Sequence, residues 1–432
     1  MTVAMLDSLK TYNLGRWLVW GGYALLMLVA PLVWKSSLSL TMLSQMGIAI
    51  IACLAFNMLL GQGGMLSFGH AVYSGLGSFF AIHILNMVSK GQLSLPVSLV
   101  PLAAGVFGLL FAVLLGYVTT KKAGTPFAMI TLGVGELVAA MALMFPGFFG
   151  GEGGISGNRV VGKGLYGITF GPQIELYYLI AIYTFVSTAL MFAFTRTPLG
   201  RMLNAVRDNP ERVEFIGYNT QFVRYFAFIA SGFFMGIAGG LAALNFEIVT
   251  SEVVGAQRSG AYLLFTFLGG ALFFFGPIIG AVLLVLALVL LSELTQAWLL
   301  YLGLVFTFMV MFAPGGISSL IMMNLRVASF GKLGRLGTTY LALAASVLVI
   351  GLGAGAMVEM VYHLQLGTAL GPEMRYLGLA LDAQGIASWF GAALVVALGG
   401  VTFALSRRRF ARHWGQVQDE IERERQAQER VR

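Results

Sequence analysis

Apolar residues in this chain run in long blocks instead of recurring every three or four positions. Leu, Val, Ile, Phe and Ala fill stretches of about 20 residues, separated by short clusters of Gly, Pro and charged residues. A helix that is apolar all round has to be surrounded by lipid or by a large protein interior, and a membrane span needs about 20 such residues. Setting the blocks against their breakers predicts twelve spans, at about 17–33, 39–60, 67–87, 96–118, 127–149, 174–194, 225–245, 259–275, 278–296, 298–313, 340–362 and 386–405. Several are short enough to be half-helices or tilted segments. The first block follows Lys10 and Arg16 as the apolar part of a signal peptide would. It is long and lacks a clean small-x-small cleavage site, so it reads as an uncleaved span.

Composition agrees: 58% of residues are hydrophobic and 10% charged, against roughly 25% charged in soluble domains. The net charge of +8 does not point to nucleic acid, because the basic residues sit at the ends of the apolar blocks. With the N-terminus in the cytoplasm and spans alternating, 20 of the 26 Lys and Arg residues fall inside. That bias supports cytoplasmic N- and C-termini. Cys53 is the single cysteine, which excludes an intrachain disulfide or a thiolate metal centre. No His or carboxylate cluster suggests a metal, and no nucleophile–base pair suggests an enzyme.

The longest basic loop runs from Thr195 to Asn219. Pro198 can open one short helix and Pro210 another, with Asp208 and Asn209 placed to cap the second. Leu199, Met202, Leu203 and Val206 share a face of the first helix, and Gly217 suits a left-handed end to the second. Two readings stand for this pair: a basic loop on lipid headgroups, or a docking element for a cytoplasmic partner.

Within this loop, the segment from Gly200 to Gly217 (Gly-Arg, then Ala-Val-Arg-Asp-Asn, then Glu-Phe-Ile-Gly) resembles the coupling loop of branched-chain amino acid permeases of ABC importers, the LivM/LivH type. Further resemblances follow in family order at Gly61-Gln-Gly-Gly-Met-Leu-Ser-Phe-Gly-His70, Thr131-Leu-Gly-Val-Gly-Glu136, Gly150-Gly-Glu-Gly-Gly-Ile-Ser-Gly157 and Ala313-Pro-Gly-Gly-Ile317. Arg212 and Val213 depart from the small residues such importers carry there, and two spans follow Ile317 that the family core lacks.

The resemblance implies an all-α polytopic transmembrane bundle, and with the two spans it does not cover the chain is expected to hold about 10–12 spans, the last two as a C-terminal two-helix extension. The permease core would occupy 1–325, an additional hairpin 326–405 and a charged cytoplasmic tail 406–432. It implies import driven by ATP hydrolysis in other subunits, so this chain holds no cofactor and the partner ATPases bind ATP and magnesium. The implied partners are a second, LivH-like permease, two cytoplasmic ATPases and an extracytoplasmic solute-binding protein. The implied location is a bacterial inner membrane. The cargo class would be branched-chain amino acids or a related small polar solute. Carried onto this chain, the coupling loop makes Arg201, Arg207, Asp208, Glu214 and Gly217 candidate coupling residues.

Polar residues inside the apolar blocks supply candidates for the translocation path. Gln62, Ser67 and His70 interrupt the region 61–77, and backbone irregularity at membrane depth is tolerated where it is buried in protein or lines a cavity. Tight helix packing around one satisfied histidine is the alternative. Gly269 to Gly280 forms a second interrupted region. Glu136 and Glu293 are intramembrane carboxylates, which are costly and functional by default. Either one coupled to an ion would make the chain a stand-alone secondary transporter, the competing reading. Gly232, Gly236 and Gly240 allow close helix packing, as do Gly351 and Gly355. Gly157 to Gly164 imitates a nucleotide-binding P-loop, but Gly164 stands where a magnesium-holding Ser or Thr belongs.

Beyond the core, spans 340–362 and 386–405 are expected as a hairpin joined by a loop with His363, Glu373, Arg375 and Asp382. In the tail, Phe410, Trp414, Val417 and Ile421 form one helical stripe. Three placements are open for it: on the membrane, with Arg407–Arg409 at anionic headgroups, against a partner, or free in solvent.

Overall fold

The computed structural model describes residues 14–161, 169–366 and 371–431. Lys10, Gly162, Lys163 and Gly164 lie outside the described residues. The chain divides into two compact units, residues 1–289 with 309–318, and residues 290–308 with 319–432.

The first unit contains α1 (Leu14–Val33), α2 (Ser37–Gly63), α3 (Ala71–Ser89), α4 (Val100–Thr119), α5 (Thr125–Met144) and α6 (Gln173–Arg196). Two short helices follow, α7 (Pro198–Asp208) and α8 (Pro210–Phe215), then α9 (Thr220–Phe246), α10 (Ala256–Gly269) and α11 (Gly276–Leu286). A two-residue antiparallel ladder pairs β1 (Ile155–Ser156) with β2 (Ile248–Val249).

The core forms where α2, α3 and α9 meet, and these three are the most buried spans. Close approach depends on missing side chains. A Cβ on Gly236 would strike the Ala104 carbonyl of α4, and Gly77 of α3 abuts Gly236 from the other side. Gly232 and Gly240 continue along α9, against Ala112 and against Ala104 with Pro101. In lipid, where apolar burial drives helices together only weakly, such contacts carry the association.

The second unit contains most of α12 (Trp298–Phe312) and α13 (Gly316–Ser329), then α14 (Gly337–Leu366), a hairpin of β3 (Glu373–Tyr376) and β4 (Leu379–Asp382), and α15 (Ile386–Val431).

The molecule is a multi-pass helical membrane protein. Among the described residues nine helices are long and apolar enough to span, and α12 with α13, bent by 50°, passes the same test together. The expected twelve spans differ in several places: 17–33 falls short of spanning length, and 298–313 continues after its bend into an unexpected helix, α13. The span at 67–87 starts only at Ala71, after a non-helical stretch. The span at 259–275 stops at Gly269, because Gly270 takes φ +107° and a Cβ there would meet the Gly315 carbonyl. The span at 386–405 does not end. It runs on as one helix to Val431, since Glu, Arg and Gln are good helix formers and Gly415 alone does not break it.

Three features of the second unit go beyond or against the sequence reading. The loop after α14 is a β-hairpin whose Met374, Tyr376 and Leu381 pack on Met360 and Ala392. The tail stripe lies neither on lipid nor free: Val417 and Ile421 are buried against Val327 and Leu336, with Trp414 beside them. Lys332 locks this contact through Glu420 at 3.1 Å and Glu424 at 2.8 Å. Apolar stripe and acidic face find their partners in the same chain. Finally, Gly351 faces open space, and it is Gly353 that meets α15, at Val396 and the Ala392 carbonyl.

Candidate coupling and translocation sites

The loop between α6 and α9 folds as its prolines dictate. Pro198 stands in the first turn of α7, and the Thr197 hydroxyl accepts the Gly200 N–H at 3.2 Å. Asn209, not Asp208, caps α8, accepting the Arg212 N–H at 3.0 Å. Asp208 instead pairs with Arg207 at 2.9 Å. Gly217 closes the loop at φ +89°.

The apolar face of α7 turns inward. Leu203 and Val206 are buried, and Leu203 lies over Gly63 at the end of α2. The Arg207 guanidinium donates from Nη1 to the Gly61 carbonyl, while its aliphatic stem covers Gly64, which sits at φ +63°. The short helix is thereby fastened to the point where the broken span leaves helical geometry. Glu214 is also spent internally, accepting from the Thr220 hydroxyl at 2.8 Å. Arg201 is exposed. The outermost groups are apolar: Phe215 is 89% and Ile216 66% exposed, at the tip of α8.

From Gly64 to His70 the backbone is non-helical and packs on α5, the Phe68 N–H donating to the Thr131 hydroxyl at 3.2 Å. His70 is fully buried among Phe56, Tyr73 and Phe228. Its Nε2 lies 2.7 Å from Ser231 Oγ, which donates its own proton to the Ala55 carbonyl at 2.6 Å. Ser231 therefore accepts, Nε2 carries the proton, and Nδ1 is left without a partner among the described residues. Ser67 is buried too and Gln62 half-buried, each with an oxygen that finds no hydrogen-bond partner among the described residues. Glu136 lies apart from this group, on the exposed face of α5 between Gly133 and Ala140. The sequence-predicted path residues thus divide: Ser67 and His70 sit in packed core, and Glu136 faces outward.

Two features carry weak or overlooked signals. Arg159, within the P-loop imitation, is a latch. Its backbone N–H donates to Glu247 at 2.8 Å, and its guanidinium reaches the carbonyls of Phe170 and Gly171 and the Gln173 side chain. Gly154 admits the adjacent β1–β2 ladder, being at φ +68° with the Val249 carbonyl where a Cβ would go. The second feature is Glu359, a third carboxylate in an apolar span. Its Oε1 accepts from the Thr295 hydroxyl and, at 3.1 Å, from Tyr301. One acid in the block 340–362 is plain in the sequence.

These features lie mostly within one stretch. Residues 38–314 match the profile of the branched-chain amino acid transport system permease component family. The chain belongs to this permease family. Two curated relatives are the high-affinity branched-chain amino acid transport system permease proteins LivM of Escherichia coli (strain K12) and of Salmonella typhimurium. The first is 27% identical over 292 residues, 62% of this chain and 67% of the relative. The second is 27% identical over 305 residues, 65% and 70%. No solved structure matches the chain. The permease match takes in the broken span, the latch and the two short helices α7 and α8, and it stops before α13, so most of the second unit lies beyond it.

Proposed function

We propose that this chain is the transmembrane subunit of an ATP-driven importer of branched-chain amino acids or a related small polar solute. In this reading it works in a bacterial inner membrane, both termini cytoplasmic, beside a second LivH-like permease and two ATPases that bind ATP and magnesium. An extracytoplasmic binding protein delivers the solute. The carrying observation is the fastening of α7 to the end of α2 through Arg207 and Gly61.

A partner that moves α7 pulls directly on the Gly64–His70 break, so force applied in the cytoplasm reaches membrane depth through one short linkage. Arg207 and Glu214 act inside the chain, as linkage and brace, while Arg201 and the Phe215–Ile216 tip are the surfaces that meet the ATPase. Glu136 faces the second permease or the water path between the two. A carboxylate there would otherwise cost about 2.5–3.5 kcal/mol against lipid.

Co-purification from native membranes in mild detergent tests the assembly. Recovery of a second permease and an ATPase supports the proposal. Recovery of the chain alone, with solute uptake in liposomes lacking ATP, makes it a secondary transporter.

A further inference from the structure

At the far end of α9 from the coupling helices, a crevice opens among α2, α3, α9, α10 and α11. It holds about 690 Å³ of empty space, its open mouth included. Its walls are aliphatic, with Ile48, Val249 and Leu284 among them. Five polar side chains interrupt them: Gln45 of α2, Ser74 and Ser78 of α3, and Arg258 and Tyr262 of α10, of which Arg258 alone carries charge.

The chemistry of these groups is asymmetric. Arg258 has no carboxylate partner among the described residues, and a half-buried guanidinium in an apolar crevice calls for an anion. The Ser74 and Ser78 protons are already committed, to the Ala71 carbonyl at 2.9 Å and to the Gly239 carbonyl at 2.8 Å. Their oxygens remain as acceptors, suited to an ammonium group. No acidic side chain lines the crevice.

We infer that this crevice binds a small zwitterion with an aliphatic side chain, its carboxylate on Arg258, its ammonium toward Ser74 and Ser78, and its side chain against Ile48, Val249 and Leu284. The solute class rests on the importer reading; the site itself is a property of this chain and needs no partner. The same cation and walls would also take the phosphate of an anionic lipid, and the test separates the two.

The full-length chain, with whatever partners it retains, is placed in nanodiscs of zwitterionic lipid and its thermal unfolding followed with millimolar leucine, leucinamide or added phosphatidylglycerol. Leucine is expected to raise the midpoint by several degrees, and leucinamide, lacking the carboxylate, to leave it unchanged. Arg258→Gln should weaken the leucine effect at least tenfold. The leucine–leucinamide contrast is read on the unsubstituted chain, so it stands even if that variant misfolds. Equal effects of the two ligands, no effect of either, or protection by phosphatidylglycerol alone overturns the inference. Absence of ATPase partners in the same preparation would count against the importer reading and leave this result readable.

Discussion

The guanidinium of Arg207 donates to the carbonyl of Gly61, joining the short helix α7 to the terminus of a membrane span 146 residues earlier in sequence. The carbonyl is one of the last in α2, a group that a helix end leaves without an intrahelical partner. A charge-assisted bond of this kind contributes about 1.5–3 kcal/mol. Removing it by Arg207→Ala should leave the chain folded, because Leu203 and Val206 still seat α7. Solute-stimulated ATPase activity of the complex should then fall by roughly tenfold, the equivalent of about 1.4 kcal/mol. Unchanged stimulation would remove Arg207 from the linkage.

Phe215 makes a different prediction, since its side chain is exposed at the tip of the loop. Phe215→Asp should leave membrane insertion and thermal stability unchanged and reduce the ATPase recovered on pull-down. Full recovery would show that the tip is not the docking surface.

Glu136 tests the outward face of α5. Glu136→Leu would make a lipid-facing helix more comfortable, raising stability without loss of uptake. The proposal instead expects uptake to fall severalfold, with Glu136→Gln retaining part of it. Rates measured in proteoliposomes distinguish these.

Packing at the core is equally direct. Gly236→Leu pushes a side chain into the Ala104 backbone, and overpacking of this kind costs about 1–3 kcal/mol. Lower thermal stability and lower yield of folded protein are expected. At Gly351, which faces open space, the same change should be silent.

The tail contact responds to pH. Hydrogen bonding to Glu424 and Glu420 raises the Lys332 ammonium above the usual lysine range, and hydrogen bonding to Lys332 holds the Glu420 carboxyl below its usual range. Glu420 therefore supports docking above about pH 4, and the support is lost as pH falls through its depressed value. Lys332 supports docking until pH rises through its raised value, above about 10. Limited trypsin digestion of α15 should be slow between these limits and faster outside them. Lys332→Gln should speed it at neutral pH.

Much of the first unit was legible in the residues. Prolines 198 and 210 and the spacing of Leu199, Met202, Leu203 and Val206 predicted both short helices with their buried face. The glycines at 61–64 and 269–270 marked the breaks, because glycine readily takes positive φ where other residues are strained. What escaped notice depended on distant partners. Arg207 reads equally well as a cytoplasmic contact until Gly61 is placed beside it, and Arg159 is only one more outside charge until Glu247 approaches. In the tail, the stripe from Phe410 to Ile421 was visible, but its docking site on Val327 and Leu336 was not, since an apolar stripe does not name what covers it.

In the proposed importer, ATP hydrolysis in partner subunits drives solute through this permease. The most direct test is uptake of labelled leucine into proteoliposomes of the purified complex with its binding protein, with ATP or a non-hydrolysable analogue presented to the ATPases. Uptake is expected with ATP, none with the analogue, and no effect of collapsing ion gradients. Uptake that ignores ATP and follows an ion gradient would contradict the proposal.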